Sequence, residues 1–192
     1  RLCRDWSSDV CSSDLTKMDV TNYIDYWIAQ VYFGNTDSVN IRFWREQSDT
    51  GKWRWIVYDL DWGFFTWNHN TLVYVTHPAG TGYASRLWTT IMTNLLRNND
   101  FRQEFVERLA YHMNHTFAKE RVLASIDERV AEIESEVPRH LARWNLSMAN
   151  WQYHVNYLRS YAEARTDQIM GYVQRYFGLS NEEMRIFDTW TR

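Results

Sequence analysis

Proline and cysteine are nearly missing from this chain of 192 residues, which has two of each. With so little proline, long stretches are free to form helix, because proline is the residue that most strongly breaks one. Both cysteines, Cys3 and Cys11, fall within the first fifteen residues. The rest of the chain therefore offers neither a disulfide nor a thiolate metal site. Gly63, Gly80 and Gly82 stand too far apart in the wrong pattern to cradle a phosphate. No apolar run is long enough to cross a bilayer. A formal net charge of −3 gives no electrostatic reason for broad binding to nucleic acid or to a membrane surface. Aromatic residues, by contrast, are plentiful, with eleven Trp and twelve Tyr in a chain that is 45% hydrophobic. That composition and length suit one folded domain with a sizeable core.

The first fifteen residues, "RLCRDWSSDVCSSDL", are rich in Ser and Asp and unlike anything that follows. Back-translation of Asp5 to Leu15 resembles a sequencing-library adapter read in one frame. Such a segment is set aside as non-native, which leaves 16–192 as a single domain whose natural chain is expected to extend upstream.

From Met18 to Gly34 the apolar residues Val20, Tyr23, Ile24, Trp27, Ile28 and Val31 recur at helical spacing, and Gly34 is a stop signal. "NIRFWRE" (Asn40 to Glu46) and "KWRWIVYD" (Lys52 to Asp59) read as two strands joined by "QSDTG", which makes a β-hairpin. The following stretch to about Ser85 reads as a long loop, of the kind that in compact domains is functional or disordered. Beyond it the pattern is helical to the end. Asp100 is a candidate N-cap, Pro138 either ends one helix or begins the next, and Gly178 caps a long amphipathic helix. The fold class is α+β, helix-dominated, with one hairpin.

Folding that hairpin about Asp49–Thr50 pairs residues whose numbers sum to about 99 or 100. Asn40 then lies opposite Asp59, with Asp37 near Asp61. Side chains alternate along a strand, so Asp59 and Asp61 are expected on one face. Three carboxylates and an amide thus gather at one end of the ribbon. Close carboxylates repel unless a cation sits between them, and hard oxygen donors suit Mg²⁺ or Mn²⁺. A catalytic loop, a short hairpin, and then Asp-aromatic-Gly is the layout of a protein-kinase carboxy-terminal lobe. Here "TDSVN" (Thr36 to Asn40) stands for the catalytic loop and "DWG" (Asp61 to Gly63) for the metal-binding motif. Three features depart from that layout. No His-Arg precedes Asp37, the Asp-to-Asn gap is three residues rather than five, and the hairpin is longer than usual.

The combination "NYIDYWIAQVYFGNTDSVNIRFWRE…GKWRWIVYDLDWGFF", with the later "LLRNNDFRQEFVERLA" and "PRHLARW", resembles the CotH kinase family, the spore-coat protein H-like atypical protein kinases. The likeness runs from about Asp19 to Phe177. It implies transfer of the γ-phosphate of ATP, with Mg²⁺ (or Mn²⁺), to Ser or Thr of protein substrates that are often secreted, surface-displayed or spore-associated. It also implies a catalytic role for Asp37, cofactor and metal binding by Asn40, and a metal ligand at Asp59 or Asp61. A small lobe carrying a phosphate-covering loop and a lysine is expected upstream of Thr16, so the chain by itself reads as an inactive fragment of its parent. Two alternatives stay open. One is a metal-dependent glycosyltransferase using Asp-x-Asp, and the other is a non-catalytic surface adhesin or scaffold.

The remaining polar residues have plainer readings. His69 and His77 are expected as solvated loop residues, and His112 and His115 as helix-surface histidines without a third metal ligand. Arg139, His140, Arg143 and Trp144 form a basic-aromatic cluster with two readings, contact with nucleotide phosphate or an acidic substrate and, the favoured one, pairing with Glu132, Glu134 or Glu136. The tryptophans, at helical and strand spacing, are expected mostly in the core.

Overall fold

The computed structural model describes residues 16–37, 40–77 and 86–188, so the opening fifteen residues lie outside it. Its elements, in order, are α1 (Val20–Phe33), β1 (Arg42–Trp44), β2 (Arg54–Ile56), α2 (Thr71–Thr76), α3 (Arg86–Leu95), α4 (Asn99–Asn114), α5 (Lys119–Ile133), α6 (Val137–Trp144), α7 (Met148–Phe177) and a 3₁₀ turn at Glu183–Phe187. Among the described residues no helix is long and apolar enough to span a membrane.

Helix α1 is the axis of the fold. Asp19 caps its start by accepting the Asn22 N–H, and Gly34, at φ 67°, closes its end by donating to the Gln30 and Val31 carbonyls. The helical period marks one apolar face, yet Tyr26, Ala29, Gln30 and Tyr32 are buried as well. A helix apolar nearly all round must be covered all round; here β2, α2, α4 and α7 cover it. The core spreads outward from it through Leu72, Val75, Met92, Phe105, Leu109, Ile169 and Val173.

The ribbon departs from expectation in register and length. Arg42 pairs with Ile56, Phe43 with Trp55 and Trp44 with Arg54, so the numbers sum to 98 and the turn centres on Asp49. The cause is a tight crossing in the turn, where Ser48 N–H donates to Glu46 O and Gly51 N–H to Ser48 O. A Cβ at Gly51 would sit 2.2 Å from the Glu46 carbonyl oxygen. Gly51→Ala is therefore expected to cost about 2 kcal/mol of unfolding free energy, read from urea titration. A change below a few tenths of that would show that the turn opens freely.

One ribbon edge is tied to the entry of α1. Asp19 N–H donates to Trp53 O, and Trp53 N–H donates to Lys17 O. The Asn22 side chain acts as a substitute strand partner, accepting the Trp55 N–H and donating to the Trp55 carbonyl. Trp55 packs edge-on against Tyr23. The opposite ribbon face, which has no helix to lean on, is left to solvent and exposes Trp44. The expectation for tryptophan is corrected more widely: Trp27 is core, but Trp53, Trp62, Trp67 and Trp144 are exposed as well.

Two further expectations change. The loop reaching Ser85 contains α2, whose first turn is capped by Asn70 accepting the Val73 N–H; of that loop, 78–85 lies outside the described residues. Asn98 caps α4 in place of Asp100, its Oδ1 accepting the Phe101 N–H at 2.9 Å. Asp100 sits instead in the first turn, where its charge suits the positive end of the helix dipole. Pro138 opens α6, and Gly178, at φ 66°, caps the thirty-residue α7.

Candidate active site at the end of the ribbon

Asp37 follows α1 by a short, tightly held segment. Asn35 is buried and donates its side-chain amide to Gln30 Oε1 at 2.8 Å. Its own Oδ1 accepts the Asp37 backbone N–H at 3.0 Å. From the other side, Tyr74 on α2 donates its hydroxyl to the Thr36 carbonyl. Asp37 is thus positioned by a pair of buried amides and one tyrosine.

The Asn40 side-chain amide donates to Asp37 Oδ2 at 2.9 Å and to Asp59 Oδ2 at 2.9 Å. Both of its hydrogens are committed, so two carboxylates from different arms of the hairpin are held on either side of one neutral group. Asn40 Oδ1 is left as an acceptor on the same side chain. The donor set of two carboxylates and an amide oxygen suits a hard divalent cation, which commonly takes one or two protein carboxylates and keeps waters or phosphate oxygens.

Asp61 is placed differently from the expected same-face pair. The β2 ladder ends at Ile56, and Asp59 adopts φ 56°, so strand alternation no longer holds between Asp59 and Asp61. Among the described residues no three acidic, His or Cys side chains gather closely enough to hold a metal. The carboxylate pair is therefore Asp37 and Asp59, with Asp61 in the next turn, exposed to solvent.

That turn is pinned to the end of α1. Gly63 N–H donates to Leu60 O, and Phe64 N–H donates to Phe33 O, each at 2.8 Å. A Cβ at Gly63 would lie 2.9 Å from the Leu60 oxygen and 3.2 Å from the Phe33 oxygen. The glycine of "DWG" thus has a packing reason. Any side chain there would push the Asp61 turn off the helix.

Helix α7 clamps the chain just beyond this turn. The Arg165 guanidinium is fully buried and uses all five of its N–H groups. Nε donates to Tyr32 O, Nη2 to Val31 O and Thr71 Oγ1, and Nη1 to Trp67 O and His69 O. No carboxylate neutralises it among the described residues. The negative end of the α1 dipole and the loop carbonyls do so instead. Burial lowers its pKa from the ordinary arginine value. Tyr157, Tyr161 and Tyr172 add hydroxyl donors to the carbonyls of Phe65, Tyr32 and Asn68. None of these four residues stands out in a motif. The available signal was an arginine on the same α7 face as Tyr161, Ala162 and Ile169, where a buried charge must find acceptors.

The histidines also need correction. His69 is half-buried and bonds Thr71 Oγ1, and burial, followed by the nearby Arg165 charge, lowers its pKa; His77 is exposed as expected. His112 is not a surface residue. Its Nε2 lies 2.9 Å from Asp25 Oδ1 and its Nδ1 lies 2.8 Å from Thr116 Oγ1. Asp25 also accepts a two-pronged bond from Arg108, at 2.7 Å for each prong. Helical spacing cannot reveal this, because the partner lies on α1, far away in sequence. His115 is the half-buried C-cap of α4. Of the basic cluster after Pro138, Arg139 reaches Glu136 at 3.8 Å, exposed, while Arg143 lies over the Trp144 ring.

Burial would raise the Asp25 pKa, but the bonds from His112 and Arg108 outweigh it, and the net shift is downward from 3.8. A depressed carboxylate contributes stability above its unfolded pKa and loses it as pH falls through the folded value. Asp25→Asn is therefore expected to destabilise by about 1 kcal/mol near neutral pH, since the cluster is a third exposed and partly screened. The gap to the parent should shrink below about pH 4 and vanish in stronger acid. A gap that stays constant down to low pH would remove the charge from the explanation.

With this geometry established, comparison with known families is informative. The family model described as CotH kinase protein matches residues 4–169, from within the opening segment set aside above to the middle of α7. No curated protein and no solved structure matches the chain. A match over most of the length, taking in the ribbon, Asp37, Asn40, Asp59, the Asp61 turn and Arg165, is decisive for kinship: the chain belongs to the CotH kinase protein family.

Proposed function

We propose that this domain carries the catalytic and metal-binding end of an atypical protein kinase that transfers the γ-phosphate of ATP to Ser or Thr hydroxyls of protein substrates. The observation that carries the reading is the Asn40 amide joining Asp37 to Asp59. It is a catalytic-loop aspartate and a post-hairpin aspartate brought within one amide's reach, in a member of this family. Asp37 orients the substrate hydroxyl and accepts its proton as the hydroxyl oxygen attacks phosphorus. The bond from phosphorus to the bridging oxygen breaks, and ADP leaves with that oxygen. Asn40 Oδ1 and Asp59 would hold Mg²⁺ (or Mn²⁺), with Asp61 in the adjacent turn as a further ligand. The ion, when bound, neutralises charge on the phosphate oxygens. The fit rests on the chemistry of the donors: two acids and an amide, all oxygen, with few enough carboxylates to leave room for phosphate.

The Arg165 clamp supports this reading indirectly. Transfer needs the Asp59–Asp61 segment held still relative to Asp37, because positioning and electrostatics do most of the catalytic work in phosphoryl transfer. The test is transfer of labelled phosphate from ATP by the intact gene product to a Ser-containing protein, with and without Mg²⁺. Transfer that stops on chelation and returns on adding Mg²⁺ is the expected result. Heat of binding with a UDP-sugar and Mn²⁺, and none with ATP, would transfer the assignment to sugar chemistry instead.

A further inference from the structure

Behind the Asp61 turn, α5 packs along α7, and between these two helices and the end of α1 lies a cleft of about 500 Å³. Phe33 and Phe64 form its floor, Ile126 and Val130 one wall, and Trp151 and Val155 the other. Helix α5 has an apolar stripe at Val122, Ile126, Val130 and Ile133, yet none of its fifteen residues is buried, and Ile133 is 53% exposed. An amphipathic helix ordinarily covers such a stripe against the core. Here Val122 packs against the core, and Ile126, Val130 and Ile133 line the cleft.

The charge of the lining is one-sided. It contains Arg121 and Arg129 but no carboxylate and no lysine. Arg129 is already engaged by Glu128 and Glu132. Arg121, in the first turn of α5, makes no ion pair or hydrogen bond among the described residues. Between Arg121 and Ile133 the cleft runs about 18 Å, at 1.5 Å per helical residue. The volume lies within the usual range for small-ligand sites.

We infer that this cleft binds a single-chain aliphatic carboxylate, a free fatty acid, with the hydrocarbon chain along the α5 stripe and the carboxylate on the Arg121 guanidinium. A guanidinium pairs with a carboxylate through two parallel N–H bonds, here at the exposed end of the cleft, while the apolar walls cover the hydrocarbon chain. The inference rests on the cleft and Arg121 and does not depend on phosphotransfer.

Calorimetry of the chain with laurate and palmitate, each below its micelle concentration, tests it. Dodecyltrimethylammonium and dodecyl maltoside are the cationic and neutral controls. Saturable one-to-one binding of the carboxylates is expected, at least about tenfold tighter than of either control. Arg121→Glu, at an exposed position that leaves folding intact, should weaken laurate at least about tenfold, and Ile126→Trp, which fills the cleft, should abolish binding. Equal affinity for the cationic control, or unchanged binding by the correctly folded Ile126→Trp chain, would overturn the proposal. Absence of carboxylate binding together with dimerisation that Ile126→Trp disrupts would overturn it too, by making a second copy the occupant.

Discussion

Replacing Asp37 with alanine is expected to slow phosphate transfer by the intact gene product by on the order of 10²–10⁴-fold, the usual contribution of a positioned general base. ATP affinity should change little, because Asp37 is assigned to the hydroxyl of the substrate and not to the nucleotide. The size of the effect follows from how the carboxylate is held. Its backbone is fixed by Asn35 and one of its oxygens by Asn40, so the base is already in position when the substrate hydroxyl arrives. Asn40→Ala tests the same geometry differently. It removes the neutral spacer between Asp37 and Asp59, leaves two facing carboxylates, and should raise the Mg²⁺ concentration needed for half-maximal rate. Asp59→Ala and Asp61→Ala, compared in the same titration, rank the two candidate metal ligands. Initial rates at saturating ATP across a Mg²⁺ series are the measurement. An Asp37→Ala enzyme within threefold of the parent would remove Asp37 from the chemistry.

Arg165→Met should be the most damaging single substitution for stability, by about 4 kcal/mol. The methionine fills much of the same volume but donates nothing. Four backbone carbonyls and the Thr71 hydroxyl, all met by one guanidinium, lose a donor where water has little access. Unpaired buried acceptors each cost on the order of 1 kcal/mol or more. Tyr161, Gly34 and Thr71 still donate to the Tyr32, Val31 and His69 carbonyls, so the Trp67 carbonyl and the relaxation of the Trp67–His69 loop set the final figure. For a chain of this size the expected fall in melting temperature is about 8–16 °C. Arg165→Lys keeps the charge but has three donors on a point-like head, and should recover only part of the loss. Thermal melts and urea titration give the stabilities, and amide exchange in 65–71 shows whether that segment loosens first. A methionine variant within 1 kcal/mol of the parent would mean that water replaces the guanidinium.

Local and periodic features were legible in the residues alone. The extent of α1 follows from its apolar spacing and from Gly34, and that of α7 from its long amphipathic run closed by Gly178. The hairpin follows from two β-branched and aromatic runs around a polar turn. The nearness of Asn40 to Asp59 was readable too, although the register behind it was shifted. A one-residue change in pairing still leaves the ends of the two arms adjacent, and the flexible amide spans the difference. The fate of Asp61 was not readable, because alternation holds only while the strand continues, and the backbone turns left-handed at Asp59.

The sequence by itself determined the long helices, the hairpin, the stops at Gly34 and Gly178, and that acids and an amide cluster at the ribbon's end, since these depend on neighbours a few residues apart. Tertiary structure decided which polar groups are buried and what satisfies them, Arg165 against the end of α1 and His112 against Asp25, and it decided which tryptophans stay exposed. Burial is a property of what packs from elsewhere in the chain. A guanidinium 133 residues from the carbonyl it binds leaves no periodic trace of that meeting.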